Sequence, residues 1–582
     1  MLVYGDRQER ADPASRARAI NRMLDRVAAM PAGVERHALL VAALDDAGRL
    51  LQGIADAQFE DEQRDRSTAA TDELGASLLA IARALCRSWD SGFESIGELP
   101  RLAPRSDWPN EVELRVPEGY AFYAVYPEAY AEAARRLKLA APPRVVAIRS
   151  IGTSLGAIAA AALDAPPAIT VRPFGDPSAR EISLDPRLER ELLDGEFHYV
   201  IVDEGPGQSG SSFAGVAEWL EARGVPNERI ALLPSHAGGP GSMASERRRR
   251  WWAQVQREVA DFGERWPALI GSWCEQLLGP LDEPPRDIAG GTWRALHYVR
   301  EEDWPAAVPA FERRKYLVRA RGERFLVKFA SLGGIGEDKL AIARTLHAEG
   351  VVPEPLGLVH GFLVEPWCED ASPLAAADTP LNEVARYIGT RARLLPASSG
   401  SGAEAEKLLE IARRNISLEF GERAGEAVER WSGRTGELNR RIVRVRTDNR
   451  LDRQEWLRTP SRALVKTDAL DHHQGHDLVG CQDVAWDVAG ALTELDPDQN
   501  DARALVAAVE HWAAREVDRE LLEFCRLAYC AFRLGQARLG EGMTSDCAER
   551  KRLRAAGDRY AAELQHLLES SSAATRHESS VG

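Results

Sequence analysis

The chain has 582 residues, of which 44% are hydrophobic and 28% are charged, and its formal net charge is −16. This length and composition predict an ordinary globular protein with roughly two to four domains. The acidic balance argues against a nucleic-acid partner, because the field of the whole molecule repels phosphate groups.

The cysteine usage and the length of the apolar runs indicate the cellular compartment. Seven cysteines are scattered along the chain, and none forms a Cys-x-x-Cys pair. This usage predicts a reducing compartment, the cytoplasm, and argues against structural zinc. Residues 1–30 are charged, and no apolar run approaches the about 18 residues of a membrane span. We therefore expect no signal peptide and no membrane partner.

Residues 1–110 are predicted to form a helical region. Apolar side chains recur at helical spacing, for example at Ile20, Met23, Leu24 and Val27. The region carries no recognisable chemical motif. We interpret it as a cap on the following domain or as an oligomerisation region that contacts a second copy of the chain.

Residues 111–281 show the alternation of an α/β domain. Short β-branched segments, predicted to be strands at 111–116, 120–126, 144–148, 169–172, 199–202 and 229–233, alternate with helical segments. Such alternation predicts a mostly parallel sheet with right-handed crossovers. Ligands of such sheets bind beyond the carboxyl ends of the strands, so the loops after the strands are the candidate site.

The loop after the strand at 199–202 is the most informative. Asp203 and Glu204 end the strand, and a loop of small residues then leads into a helix at Ala214. Amides of such a loop can surround a phosphate, and the helix N-terminus adds positive potential. The two acids can bind ribose hydroxyls, directly or through Mg²⁺. The predicted phosphate-binding residues are Gly207, Gln208, Ser209, Gly210 and Ser211.

This order of strand, two acids, small-residue loop and helix resembles the ribose-phosphate loop of type I phosphoribosyltransferases. The resemblance implies phosphoribosyl pyrophosphate as a substrate, Mg²⁺ held by Asp203, and catalytic roles for Asp203 and Glu204 in displacement at ribose C1. It implies an earlier pyrophosphate loop formed by Arg149, Gly152, Thr153 and Ser154. Glu204 departs from the family, which more often has a second Asp. The alternative interpretation is an ordinary strand–turn–helix crossover.

The pattern of predicted elements changes after the α/β region. Residues 282–292 contain Pro-Pro and Gly-Gly pairs and are predicted to be a linker. Beyond them a hairpin, a helix at about 337–349, a further hairpin and long helices are predicted up to residue 568. The Ser-rich tail 569–582 is predicted to be disordered.

Several residues after the linker form an ordered set. Lys328 lies on the second strand of the first hairpin, and a later hairpin leads into Glu365. Asp448 and Asp468 are twenty residues apart, with Glu455 between them. Residues 293–568 resemble, in this order, the aminoglycoside- and choline-kinase-like branch of the protein-kinase fold. The resemblance implies an α+β kinase-like domain that uses ATP and Mg²⁺.

The resemblance also assigns roles. Lys328 would hold the ATP phosphates, Glu337 would be its ion-pair partner, and the segment at Glu365 would meet adenine. Asp448 would be the catalytic base or would orient the acceptor. Asp468 would hold Mg²⁺ together with Glu455 or Gln454, which stand where the family has a metal-binding Asn.

Two functions stay open. One is a bifunctional transferase that handles a phosphoribosyl group and phosphorylates a small molecule with Mg-ATP. The other is a non-catalytic sensor or scaffold with a pseudokinase domain. Arg446-Thr447 in place of the family's His-Gly, and the missing glycine-rich phosphate loop, favour the second. His472 and His476 are interpreted as substrate or packing contacts, with metal ligation as the alternative.

Overall fold

Three helices dominate the N-terminal region of the computed structural model, which describes residues 1–5, 8–375 and 377–581. The elements are β1 (Gln8–Ala11), α1 (Pro13–Ala29), α2 (Val34–Glu62) and α3 (Ala69–Asp90). Helix α1 begins at Asp12, whose side chain accepts hydrogen bonds from two amides of the first turn. Ile20, Leu24 and Val27, three of the apolar positions that predicted α1, are buried in a core shared with the α/β region and the next sheet, and Met23 is partly buried against it. The apolar face of α1 is thus used within the chain.

The α/β region contains the predicted parallel sheet. Its elements are β2 (Val112–Arg115), α4 (Glu118–Ala121), α5 (Pro127–Arg136), β3 (Pro143–Ile148), α6 (Gly152–Ala162), β4 (Ile169–Val171), β5 (Phe174–Asp176), β6 (Ala179–Glu181), α7 (Pro186–Leu193), β7 (His198–Val202), α8 (Ser211–Glu221), β8 (Ile230–Leu233), α9 (Glu246–Gln254), β9 (Gln256–Arg257) and α10 (Trp266–Leu278). The order is β4-β3-β7-β8-β9, with all neighbours parallel. β1 pairs with β2, and β5 pairs with β6 as a hairpin.

One predicted strand of this region is wrong. Residues 120–126 alternate like a strand, but the structure has the short helix α4 and then a turn at Ala124, whose φ is +52°. The amide of Phe122 donates to the Glu118 carbonyl, as in a helix. The aromatic side chains here pack in several directions, and this tertiary packing overrides the local alternation.

A second, antiparallel sheet follows. Its elements are β10 (Arg286–Asp287), β11 (Lys315–Ala320), β12 (Glu323–Phe329), α11 (Gly333–Ala348), β13 (Gly357–Val359) and β14 (Phe362–Pro366), and the strand order is β10-β11-β12-β14-β13. Part of the segment 282–292, predicted to be a linker, belongs to this sheet as β10. The amides of Asp282 and Ile288 donate to carbonyls of β11 at 2.8 and 2.9 Å. The Pro-Pro pair only bends the chain between these two paired segments.

Helices form the last part of the chain. The elements are β15 (Ser372–Pro373), α12 (Leu381–Leu394), α13 (Ala405–Phe420), α14 (Glu422–Glu426), α15 (Thr435–Arg441), β16 (Trp456–Arg458), β17 (Leu464–Lys466), α16 (Val484–Leu495), α17 (Gln499–Ala513), α18 (Arg519–Met543) and α19 (Cys547–Val581). We call the part from α12 onward the helical lobe. The tail predicted to be disordered, 569–582, begins inside α19, and Gly582 lies outside the described residues.

The cores do not follow the predicted domain borders. The N-terminal helices, one face of the parallel sheet, α10 and the antiparallel sheet share one apolar cluster. Tyr126 stacks on Trp273 with ring centroids 5.6 Å apart, and Trp266 contacts Phe362 of β14. The helical lobe has its own core. Among the described residues, no helix combines the length and apolar content that a membrane crossing needs.

Candidate functional site

A cavity of about 480 Å³ lies between the antiparallel sheet and the helical lobe. The sheet and α11 contribute Lys315, Lys328, Lys339, Glu365 and Trp367, and the lobe contributes Arg450, Asp452, Glu455, Asp468 and Asp471. Tyr4, Phe122 and Tyr123, from earlier parts of the chain, complete one side. We call this cavity the cleft. Its charged lining, with lysines facing carboxylates, distinguishes it from an ordinary apolar packing defect.

Lys328 occupies the centre of the charged lining. It lies on β12, which pairs with strands on both sides, so its backbone position is fixed. Its Nζ donates to the carboxylate of Asp468 and, at 2.5 Å, to Oδ2 of Asp471. Burial, the largest single effect, would raise the pKa of both carboxyl groups, but the Lys328 ammonium together with further basic groups nearby, such as Lys339 at Asp471, outweighs burial and holds both pKa values below their usual range. The lysine and the two acids therefore form a charged unit at neutral pH.

A second lysine reaches the same unit, and sequence reasoning missed it. Lys339 on α11 is completely buried and donates to Oδ1 of Asp471 at 2.5 Å and to the Ala330 carbonyl at 2.6 Å. Burial lowers its pKa to about 8. Glu337, the predicted partner of Lys328, lies two residues earlier and is exposed. Two residues turn a helix by roughly 200°, so only one of these positions can face the cleft.

Glu455 and Asp468 are candidates for metal binding. Together with His472 they place one ligand atom each within 4.8 Å of the others. Burial raises the pKa of Glu455 to about 8, although Lys466 donates to it at 2.7 Å and offsets part of this effect. Two carboxylates at this spacing suit Mg²⁺, which prefers oxygen ligands. Glu365, which was predicted to lie beside adenine, lines the cleft from β14, and burial raises its pKa to about 7.

Asp448 does not occupy the position that a catalytic base needs. It is 1% exposed and lies behind the described lining of the cleft. Its carboxylate accepts a hydrogen bond from the Tyr387 hydroxyl and lies 3.1 Å from Lys466 Nζ. The amides of Asp448 and Asn449 donate to Asp487 at 2.8 and 2.9 Å. Asp487 thus fixes the loop, and Asp448 is a buried structural acid.

Two other residues of the same loop, Arg450 and Asp452, line the cleft. Arg450 lies 3.6 Å from Asp477, and Asp452 accepts two hydrogen bonds from Arg533 at 2.8 and 3.0 Å. The resembling family has its acid five residues before its Asn. Counting back five residues from Glu455 leads to Arg450, whereas the spacing of twenty to Asp468 led to Asp448. The shorter spacing was therefore the signal for the part of the loop that lines the cleft.

The candidate ribose-phosphate loop lies at the carboxyl end of β7. Gly207 and Gly210 both have positive φ, +57° and +65°, and Gly210 caps α8. Burial raises the pKa of Asp203 to about 7 and that of Glu204 to about 8. The hydroxyls of Ser209 and Ser211 both donate to the Pro177 carbonyl at 2.8 Å, so these side chains are engaged by the β5–β6 hairpin. Gln208 is exposed.

The predicted pyrophosphate loop is closed. The Arg149 guanidinium is 1% exposed and pairs with Asp56 at 2.7 Å and Asp65 at 2.5 Å. Gly152, Thr153 and Ser154 form the first turn of α6 and are buried. Helix α2 covers this turn, because its Gly48 would bring a Cβ within 2.8 Å of the Ser154 Cβ. The pyrophosphate role of these four residues is therefore wrong for this conformation, since the N-terminal region takes both the charge and the space.

Comparisons with known proteins give distant similarities. No family model matches the chain, and neither does any curated protein. The choline kinase LicA from Streptococcus pneumoniae is a similar solved structure: it is 15% identical, covers 51% of this chain and 100% of its own, and gives a TM-score of 0.34. LicA in complex with AMP is 16% identical, covers 52% of this chain and 100% of its own, and gives 0.35.

A phosphotransferase gives a comparable match. Spectinomycin phosphotransferase APH(9)-Ia, solved with ADP and spectinomycin, is 12% identical, covers 52% of this chain and 96% of its own, and gives a TM-score of 0.33. About half of the chain is thus similar to small-molecule kinases and phosphotransferases. At such scores we take the functional evidence from the geometry of the cleft alone.

Proposed function

We propose that the cleft binds ATP with Mg²⁺ and that the protein transfers a phosphoryl group from ATP to a small molecule. The observation that carries this proposal is the convergence of Lys328, Asp468 and Asp471 in one cleft, although 140 residues separate Lys328 from Asp468. A fixed lysine beside carboxylates is the arrangement by which kinase-like sites hold nucleotide phosphates and metal.

Each side chain has a defined task in this proposal. Lys328 binds the α- and β-phosphates, Asp468 and Glu455 hold Mg²⁺, and the segment around Glu365 contacts adenine. The metal, when bound, neutralises phosphate charge. Asp452 replaces Asp448 as the acid that faces the acceptor, because it is the carboxylate of that loop that lines the cleft. The fixed positions of these groups supply the orientation that phosphoryl transfer requires.

The sensor function is the second candidate. It is favoured by Arg450, which stands where the resembling family has its acid, and by Asp448, which Tyr387 and Lys466 hold behind the cleft. In this case the cleft binds Mg²⁺ and nucleotide without turnover, and the bound state acts as the signal.

Calorimetry of the full chain with ATP, in the presence and absence of Mg²⁺, tests the proposal. We expect Mg²⁺-dependent binding that Lys328→Met and Asp468→Asn remove and that Glu337→Gln, an exposed control on α11, preserves. ADP release is then measured with an acceptor panel that begins with choline and spectinomycin, the substrates named for the similar proteins. Binding without ADP release selects the sensor function, and absence of binding refutes both candidates.

We also propose that residues 111–281 bind a phosphoribosyl compound, either phosphoribosyl pyrophosphate or a nucleotide. The support is the pair of acids with raised pKa values, Asp203 and Glu204, directly before the loop containing Gly207 and Gly210. A divalent cation or ribose hydroxyls would relieve the cost of ionising these buried acids. Because Arg149 is engaged elsewhere, this proposal is limited to binding and assigns no displacement at ribose C1.

A further inference from the structure

A buried cluster of His37, Glu128 and His360 lies where three parts of the molecule meet. His37 is on α2, Glu128 is on α5, and His360 is in the turn between β13 and β14. All three side chains are completely buried. The cluster is separate from the cleft lining. It thus joins the N-terminal helices, the α/β region and the antiparallel sheet at a single carboxylate.

The ring nitrogens converge on one carboxylate oxygen. His37 Nε2 lies 2.6 Å from Glu128 Oε1, and His360 Nε2 lies 3.0 Å from the same atom. The Ser88 hydroxyl lies 2.9 Å from His37 Nδ1 and fixes the orientation of that ring. The backbone of His360 is also fixed, because the Tyr126 hydroxyl donates to its carbonyl at 2.6 Å. The geometry is therefore held by contacts outside the cluster.

Two polar atoms of the cluster are without partners in the described part of the chain. They are Glu128 Oε2 and His360 Nδ1, and both are buried. A buried carboxylate oxygen with no hydrogen bond is costly, and native structures leave few such atoms unexplained. The surroundings are aromatic: Trp273 lies 4.7 Å from His360, and Phe93 lies 4.8 Å from His37, by ring centroids. The unpartnered oxygen therefore points to a ligand within the cluster.

The chemistry of the cluster favours a cation. Glu128 is the one carboxylate of the cluster and is completely buried, and a carboxylate in an apolar core needs a counter-charge. A metal ion held by both imidazole rings would supply that charge.

We propose that His37, Glu128 and His360 bind a divalent transition-metal ion, with Zn²⁺ as the preferred occupant. Two Nε2 atoms and one oxygen of Glu128 give three donor atoms, and a water molecule would complete the tetrahedral set of four that Zn²⁺ prefers. Imidazole ligands select Zn²⁺ over Mg²⁺. The ligand atoms already lie within 4.8 Å of one another. The ion would use the unpartnered oxygen and would clamp the three parts together.

Metal analysis of the untagged full chain, purified without chelator, is the first test. We expect about one equivalent of zinc per chain. A chelator of transition metals should remove it and lower the Tm, and Zn²⁺ but not Mg²⁺ should restore the Tm. A chain that lacks transition metal as purified and neither binds Zn²⁺ by calorimetry nor gains thermal stability from it would overturn the proposal and leave a hydrogen-bonded proton network.

Variants locate the ion and separate this site from the cleft. His360→Gln should weaken Zn²⁺ binding by more than about 100-fold, beyond the usual effect of a residue that only supports a ligand. His511→Gln, at an exposed position of α17, is the matched control. Asp468→Asn should leave the zinc in place. If His360→Gln fails to fold, Co²⁺ substitution of the wild type gives an independent answer, since intense visible absorption indicates the tetrahedral site and its absence contradicts it. Zinc that is lost with Asp468→Asn would also overturn the assignment.

Discussion

Two pairs of acids follow strand ends in this molecule and have opposite electrostatics. Asp468 and Asp471 follow β17, and Lys328 contacts both, so their pKa values are lowered. Asp203 and Glu204 follow β7, and their pKa values are raised to about 7 and 8, because burial prevails over the partial effect of Arg172 on Asp203. The same residue type at a strand end thus becomes a stable anion or a group that protonates near neutral pH, depending on a contacting cation.

The positions of the basic residues explain why the pKa values of the two pairs of acids differ. In the cleft, Lys328 and Lys339 stay on the cavity wall and hold the acids. In the α/β region, Arg149 and Arg172 are turned away from the ribose-phosphate loop and pair with Asp56 of α2. The cleft therefore keeps both signs of charge for a metal–phosphate ligand. Among the described residues, no lysine or arginine forms an ion pair with the acids after β7, so these acids would gain most from a divalent cation.

The largest effect is expected from removing the lysine that distinguishes the two pairs. Lys328→Met leaves the buried Asp471 with Lys339 as its remaining contact and the partly exposed Asp468 with less compensation. This should lower the free energy of unfolding by about 2–4 kcal/mol, somewhat less than the loss of a fully buried pair. Urea denaturation measures this, with Lys551→Met, at an exposed position, as the control. Adding Asp468→Asn to Lys328→Met should restore part of the loss. A single-variant effect below that of the control would mean that the lysine does not stabilise the acids.

The second effect distinguishes Asp468 from Asp448, which were both predicted to be active-site residues. Asp468→Asn should abolish Mg²⁺-dependent nucleotide binding while the chain stays folded, because Asp468 lines the cleft. Asp448→Asn should leave nucleotide affinity nearly unchanged and lower the free energy of unfolding by about 1–3 kcal/mol, because Asp448 is a buried hydrogen-bond acceptor. Calorimetry and denaturation of both variants measure this. Loss of turnover in Asp448→Asn without loss of stability would return Asp448 to a catalytic role.

The ribose-phosphate loop gives a third test of the comparison. Gly210→Leu should abolish binding of phosphoribosyl pyrophosphate, because the φ of Gly210 is +65° and a side chain there would meet Pro240. Gly400→Ala, where a Cβ meets open space, is the control. Binding is measured by calorimetry. Equal affinity in both variants would remove the ribosyl site from this loop.

The last test concerns the contribution of the pair after β7 to the pH dependence of stability, to which Glu365 and Glu455, whose pKa values are also raised, contribute as well. The folded-state pKa values, about 7 and 8, lie above the unfolded values of about 4, so the folded state binds more protons. Stability should therefore fall as pH rises from about 4 to 8, while Mg²⁺ affinity at this pair rises. Tm values at pH 5.5 and 8.5 should differ less in Asp203→Asn/Glu204→Gln than in the wild type. An unchanged difference would show that other groups cause the pH dependence.

The sequence predicted the strands and the kinds of chemistry better than the contacts between regions. The apolar runs of β3, β7 and β8 identify the parallel sheet, because strands buried on both faces must be continuously apolar. The linker predicted at 282–292 contains β10, because punctuation by Pro and Gly does not reveal that a segment pairs with β11. For the same reason the sequence did not identify Asp56 as the partner of Arg149, since 93 residues separate the two along the chain.

The site residues show the same division. Lys328 and Asp468 were identified from local motifs, and the structure brings them into contact. Glu337 and Asp448 were chosen by spacing within loosely matching motifs, where an error of two residues changes the side of a helix or a loop. Lys339 and Asp471 had no motif, and only the folded arrangement shows that they contact each other.

A structure of the protein with Mg²⁺ and a non-hydrolysable ATP analogue tests the central proposal most directly. We expect the phosphates to replace Asp468 and Asp471 as partners of Lys328 Nζ, Mg²⁺ to be held by Asp468 and Glu455, and adenine to lie beside the segment that follows Glu365. An analogue bound elsewhere, or a cleft in which Lys328 keeps both carboxylates and no nucleotide enters, would contradict the account.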